Sequence, residues 1–235
     1  MAGDAAVTAA EKDAAAGEKA PDAPAEEITT SRSADAGWRW SDGYDPQRTR
    51  REIIDSALHL FEREGFDRTT LKQIVVGANL TKGAFYHHFR SKEDLLWHIQ
   101  NEYLDTQIEA AREIVERGLD PVEQLRALIR LSLAGISTYR AHVAIFYQDR
   151  RHLTGDRLRS VTEKRDTLEA IFHETVQRGI DGGAFRREMN DRIITFGIFG
   201  LCASAFQWFN PDGSLGIDEV ADQFCELVLV GLLTE

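Results

Sequence analysis

From Asp45-Pro46 onward, apolar residues return every three or four positions. Ile53, Ile54, Ala57, Leu58 and Phe61 make the first such face, which predicts an amphipathic helix ended by Gly65. Thr69 or Thr70 is placed to cap a short helix running to about Val76 or Gly77. Asn79 follows, a residue that tolerates the left-handed backbone of a tight turn. Thr81 can cap a second short helix through about His87. Ser91 with Asp94 resembles a capping box with Asp in the usual Glu place, and predicts a long helix from about Lys92 to Glu116, with Gly118 behind it. Pro121 opens the next helix, VEQLRALIRLSLAGIST. Further helical patterns cover about Arg140–Asp149, Asp156–Gly179, Asn190–Phe209 and Ile217–Leu233, and the Gly-rich DGGAF (Asp181 to Phe185) separates two of them. No alternating strand pattern competes. The expected fold class is all-α: an N-terminal three-helix unit over 46–92 with a helix-turn-helix, and a larger helical unit over 93–235.

Two short capped helices joined by a tight turn can place the second in the major groove of DNA, with its first residues at the base edges. In this chain that second helix is the stretch LTKGAFYHHF. Thr81, Lys82, Gly83 and Ala84 stand at its start. Gly83 lets the backbone lie close to a partner. Lys82 and Tyr86 share one face, and Gly83 and His87 the next stripe. Leu80, Phe85 and Phe89 fit the opposite, core-facing side. The adjacent His87 and His88 point roughly 100° apart on a helix, so they are poorly placed to grip one metal ion. His87 should face outward and His88 lean towards the core. Thr69, Thr70, Arg48 and Lys92 are candidates for phosphate contacts.

Composition alters this picture at one point. The 235-residue chain has a net charge of -11, which argues at first against a nucleic-acid partner. The charge is unevenly spread. Residues 1–46 hold 4 Lys/Arg against 10 Asp/Glu, residues 47–100 hold 9 against 7, and residues 101–235 hold 15 against 22. The segment with the helix-turn-helix pattern is the only positive one, and local charge decides whether a surface can approach phosphate. Residues 1 to about 45 are poor in large aliphatics and are expected to be a disordered extension, with Trp38 and Trp40 its exceptions. No apolar run is long enough to span a membrane. The two cysteines, Cys202 and Cys225, lack a CxxC spacing, and the expected location is the cytoplasm.

Residues 48–100 resemble the DNA-binding domain of the TetR family of bacterial transcriptional regulators. The resemblance rests on Ala57, Leu60, Phe61, Gly65 and Phe66, on Thr69 to Ile74, on LTKGAFYHHF and on Ser91 to Leu96. Val75, Asn79 and Ala84 depart from the usual pattern, the last removing one hydroxyl from the DNA-facing side. The resemblance implies a homodimer on a pseudo-palindromic operator, usually a repressor, released when a small molecule binds in the C-terminal domain. The helix beginning near Lys92 is the natural lever between the two sites.

For the effector, Tyr139, Phe146 and Tyr147 stand among apolar residues with Arg140 and Arg150 nearby, and Tyr103 lies on the linking helix. Arginines at a cavity mouth can hold a carboxylate or the phosphates of a thioester carrier. The YQDRRHLTG stretch is similar to one in members that sense acyl-CoA compounds and control lipid catabolism, so an acyl-CoA or fatty acid is the expected effector. The other reading makes the aromatics core and the arginines a solvated, acid-paired surface. Gly197, Gly200 and Ser204, with Phe224, Leu227 and Val228, offer a dimer face; the rival is a single-chain core. His173-Glu174 begins a zinc-protease HExxH pattern, but Gln177 stands where the second ligand is required. No catalytic constellation, metal site or cofactor motif is found, which sets an enzyme aside. A DNA-binding regulator without small-molecule control stays open.

Overall fold

The computed structural model describes residues 45–234, apart from the Arg150 side chain. Expectations for residues 1–44, including Trp38 and Trp40, fall outside it. The described residues form nine α-helices and one 3-10 turn.

α1 (Pro46–Glu64) begins where the Asp45 carboxylate accepts the Gln47 N–H, with proline at the position whose missing N–H costs nothing. Gly65, at φ 80°, turns the chain out of it. α2 (Leu71–Gly77) has a full capping box: the Thr70 hydroxyl accepts from Gln73 N, and the Gln73 side chain accepts from Thr70 N. Asn79 takes φ 55° in the turn. Thr81 caps α3 (Lys82–His88) by accepting the Ala84 N–H at 3.2 Å. Ser91 caps α4 (Lys92–Glu116) through Asp94 N. The reciprocal half of that cap is shifted by one residue, because Asp94 accepts from Arg90 N. The other Asp94 oxygen receives Arg157 at 2.5 Å.

α5 (Pro121–Thr138), α6 (Arg140–Asp149), the 3-10 turn Arg150–His152, α7 (Gly155–Asp181), α8 (Asp191–Trp208) and α9 (Ile217–Leu232) complete the chain. α7 runs past Gly179, where the sequence pattern places its end. Gly179 is buried, and the Phe185 ring lies 2.0 Å from where its Cβ would be, so this glycine makes room for a ring. The stop comes at Gly182 and Gly183, the latter at φ 76°.

Two apolar clusters organise the helices. One gathers Ile53, Phe61, Ile74, Phe85, Phe89 and Leu95 beneath the helix-turn-helix, and Ile145, Leu153 and Val161 complete it from the later part of the chain. Each of its fully buried phenylalanines contributes about 1.5–3 kcal/mol. The other is built around Leu125, Leu128, Phe172, Val176, Phe185 and Leu229. α4 enters both: Leu96 and Ile99 belong to the first, Ala111 to the second, and Tyr103 packs against each.

Candidate nucleic-acid interface and ligand cavity

The second short helix presents two unlike sides. Phe85 is fully buried, meeting Phe89 at 5.6 Å between ring centroids. Lys82, Gly83, Tyr86 and His87 are exposed on the other side, Tyr86 by 59%. His88 is half-buried and His87 is not, the asymmetry expected from the helical phase. Burial holds His88 below the ordinary histidine value, with the His87 and Arg50 charges acting in the same direction. A Cβ at Gly83 would meet only the Thr81 hydroxyl, at an ordinary 3.6 Å. Nothing inside the protein therefore requires glycine there.

The flanking candidates divide into available and spent groups. Thr70 and Thr81 are exposed caps, and the open α2 and α3 starts lie beside them. Arg48 is exposed and pairs with Glu52 one turn on. Two expectations need correction. Thr69 is 1% exposed and donates its hydroxyl to Gly65 O at 2.9 Å, so it cannot reach a phosphate. Lys92 turns inward: its ammonium donates to Phe66 O at 2.6 Å and Thr69 O at 2.8 Å, and lies 4.1 Å from the Phe66 ring centroid. Burial lowers its pKa against the pull of Asp67 and Asp149. Lys92 staples the α1–α2 loop to α4. Lys72 and Arg90, absent from the sequence-based set, are exposed and enter no ion pair among the described residues. For Lys72 a signal was present: no acid stands three or four positions away.

A cavity of about 450 Å³ lies among α4, α5, α6, α7 and α8. Tyr103, Phe146 and Tyr147 line it, as do Gln107, Ser132, Arg165, Glu169, Phe196 and Phe199. Tyr139 and Arg140 do not. Tyr139 packs edge-on against the Tyr103 ring at 5.9 Å. Arg140 donates to Phe209 O and faces Glu62 at 3.5 Å, because the start of α6 points towards α1. The Arg150 expectation lies outside the described side chains. Burial pushes the Tyr103 phenol up, and pushes the Cys202 thiol, another wall residue, to about 12, so both stay protonated at neutral pH. Among the described residues Arg165 is the one cation on this wall; it was missed because EKRD reads as a solvated run, and it donates to Asp166 at 2.7 Å.

Along α8, Gly197 and Gly200 face open space, Gly200 at the edge of the cavity. Ile193 (68% exposed), Phe196 (55%) and Trp208 extend the same helix as exposed apolar residues. On α9, Leu227 is 65% exposed and Phe224 and Val228 are half-buried, with the Trp208 and Phe224 rings 6.0 Å apart. Ser204 spends its hydroxyl on Leu201 O. No cluster of metal-ligating side chains occurs among the described residues, and no helix there is long and apolar enough to cross a membrane.

Comparison with known proteins adds two family matches. Residues 53–99 match the model for bacterial regulatory proteins of the tetR family, and residues 118–232 match a tetracyclin repressor-like C-terminal domain. The HTH-type transcriptional repressor KstR2 of Rhodococcus jostii is 32% identical over 184 residues, covering 78% of this chain and 90% of that repressor. The solved ketosteroid transcriptional regulator KstR2 of Mycobacterium tuberculosis superposes with a TM-score of 0.75 at 27% identity, covering 79% of this chain and 95% of its own. AibR, solved in complex with isovaleryl coenzyme A and operator DNA, gives a TM-score of 0.70 at 26% identity over 76% of this chain and 97% of AibR.

Proposed function

The chain belongs to the TetR family of bacterial regulatory proteins, and from that premise we propose that it is a homodimeric repressor whose operator is released by an acyl-CoA or a related apolar acid. It is a transcriptional regulator of this family and not an enzyme. The observation that carries the DNA half is the outer side of α3. Lys82, Gly83, Tyr86 and His87 stand exposed on a helix anchored from behind by Phe85, and Gly83 has space for a side chain it lacks. Lys72, Thr70, Thr81, Arg90 and Arg48 flank it as phosphate contacts, which fix register without reading sequence. Ala84 approaches the bases through its methyl group. Residues 46–92 form the reading head, and residues 93–235 the effector and dimerisation body.

Two copies are needed to bring two such helices into successive grooves about 34–36 Å apart. The exposed apolar stripe of α8 and α9, with Gly197, Gly200, Ser204, Phe224, Leu227 and Val228, supports pairing as a four-helix bundle.

The effector half is supported by the cavity. Its volume fits an apolar body of modest size, with Tyr103, Phe146 and Tyr147 as walls. Arg165 takes the role that Arg140 was expected to have, facing a carboxylate or a carrier phosphate. One relative points the same way, since AibR was captured with isovaleryl coenzyme A. The test is an electrophoretic shift on DNA upstream of the gene, with and without a panel of acyl-CoAs. A shift abolished by one thioester is expected. A shift that no thioester or free acid alters would leave a regulator without small-molecule control, and no shift at low salt would remove the proposal.

A further inference from the structure

We propose that the α4–α5 wall of the cavity is a subsite for an uncharged oxygen, a ketone or a hydroxyl, carried by an otherwise apolar ligand. The inference rests on the effector reading above and narrows it: the effector bears a hydrogen-bonding oxygen in addition to its acid end.

Three polar side chains on this wall have no partner. Tyr103 and Gln107 stand one turn apart on α4, and Ser132 joins them from α5. All three line the cavity, and none makes a side-chain hydrogen bond among the described residues. Buried polar groups are ordinarily paired. The same helices show that ordinary outcome elsewhere: Gln124 donates to Thr175 at 2.7 Å, and Thr106 to Glu102 O at 3.0 Å. Gln107 is only 5% exposed, so its amide is withdrawn from bulk water as well. Gln100, earlier on α4, also has an unpaired Oε1, but protein seals it. Gln107 opens instead on a space that can hold a ligand.

The groups converge. Gln107 Oε1 and the Tyr103 hydroxyl each lie 3.4 Å from the place a Cβ would take on Gly135, so they are at most twice that distance apart. Glycine at this position leaves both uncovered. Burial keeps the Tyr103 phenol protonated and able to donate, while the Gln107 amide can donate and accept. The charged residues of the lining, Arg165 and Glu169, stand on α7. A carboxylate is therefore met at α7, and the α4–α5 wall suits an oxygen without charge. The surroundings are apolar, with Leu104, Ile136, Val143 and Phe199. Burying an oxygen there is costly unless partners are waiting for it. Ordered water can serve such groups, and a ligand oxygen that reproduces its bonds displaces it without loss.

The test titrates the full chain by calorimetry with two probes of one shape, 2-naphthol and 2-methylnaphthalene. They differ by a hydroxyl in place of a methyl group. A merely apolar cavity binds the methyl compound more tightly, because its transfer from water is the more favourable. The subsite predicts the reverse, with 2-naphthol at least about tenfold tighter, well inside what a site built around a hydroxyl achieves. Gln107→Leu and Tyr103→Phe each remove one bonding group with little change of volume. Each should cut the preference at least about threefold, as the loss of one hydrogen bond requires. Should one variant not fold, the other decides. Equal or weaker binding of 2-naphthol, binding of neither probe, or a preference that a folded variant leaves unchanged overturns the subsite. Octanoyl-CoA, titrated in parallel, tests the acyl-CoA class by itself. If it does not bind while 2-naphthol behaves as expected, the subsite stands and the acyl-CoA reading falls. If it binds and the preference for 2-naphthol is missing, the acyl-CoA reading stands and the subsite falls.

Discussion

Replacing Lys92 by methionine separates a structural lysine from a DNA-binding one. The sequence pattern places Lys92 at the start of α4, facing phosphate. The structure instead gives its ammonium two carbonyl acceptors, at 2.6 and 2.8 Å, and the face of Phe66. Methionine retains most of the apolar stem and removes the charge. Hydrogen bonds from a charged donor contribute about 1.5–3 kcal/mol each, and a cation over an aromatic face about 0.5–1 kcal/mol at a partly exposed site. The ammonium is only part-buried, so the lower ends apply and the two bonds are not additive. The expected cost is about 2–4 kcal/mol. For a chain of this size that lowers Tm by roughly 5–15 °C. The second assay is operator affinity against salt at a temperature where both proteins are folded. A lost phosphate contact would reduce the slope of log K against log salt by about 0.9 per subunit. The staple predicts an unchanged slope. An unchanged Tm together with a slope reduced by about two per dimer would mean that Lys92 contacts phosphate and does not staple the loop.

Three other outcomes follow from the same geometry. Gly83→Ala should raise fold stability by up to about 1 kcal/mol, because a helical glycine is replaced into free space; it should weaken operator binding at least about tenfold, checked by thermal melts and anisotropy titration. Gly179→Ala should destabilise by about 1–3 kcal/mol or more, since its Cβ would stand only 2.0 Å from the edge of the Phe185 ring, without altering the affinity of the folded protein for DNA. Stability should fall as pH drops below about 6.5: burial lowers the pKa of His88, His98 and His142, so the unfolded chain takes up protons first. Melts from pH 7.5 to 5 should show a slope that His142→Phe reduces, and a flat profile would contradict it.

Much of the fold was legible because its signals are local. Asp45-Pro46, Thr70, Thr81 and Ser91 each cap a helix by bonding a backbone N–H two or three residues on, and the glycines at 65, 118 and 183 close turns with positive φ. Gly179 was misread because a glycine that stops a helix and one that admits a ring look alike in sequence; Phe185 decides, and it comes from the following turn. The outward side of α3 was legible for the same local reason, since the phase of Phe85 and Phe89 fixes where Lys82, Tyr86 and His87 point. Thr69 and Lys92 were not, because both are spent on carbonyls of the α1–α2 loop, and Lys92 reaches one 26 residues earlier. The cavity wall was half legible. Tyr103, Phe146 and Tyr147 were apolar enough to suggest it, but which arginine meets it depends on how α6 and α7 are rotated. That rotation turns Arg140 towards Glu62 and brings Arg165 to the cavity.

Hydroxyl-radical footprinting of the full chain on DNA flanking its gene tests the account most directly. Two protected half-sites of inverted symmetry are predicted, about one helical turn apart centre to centre. They should vanish in a Lys82→Ala, Tyr86→Ala double variant that melts like the wild type. Protection that survives this double variant, or the absence of any protected site at low salt, would contradict the claim that α3 reads an operator.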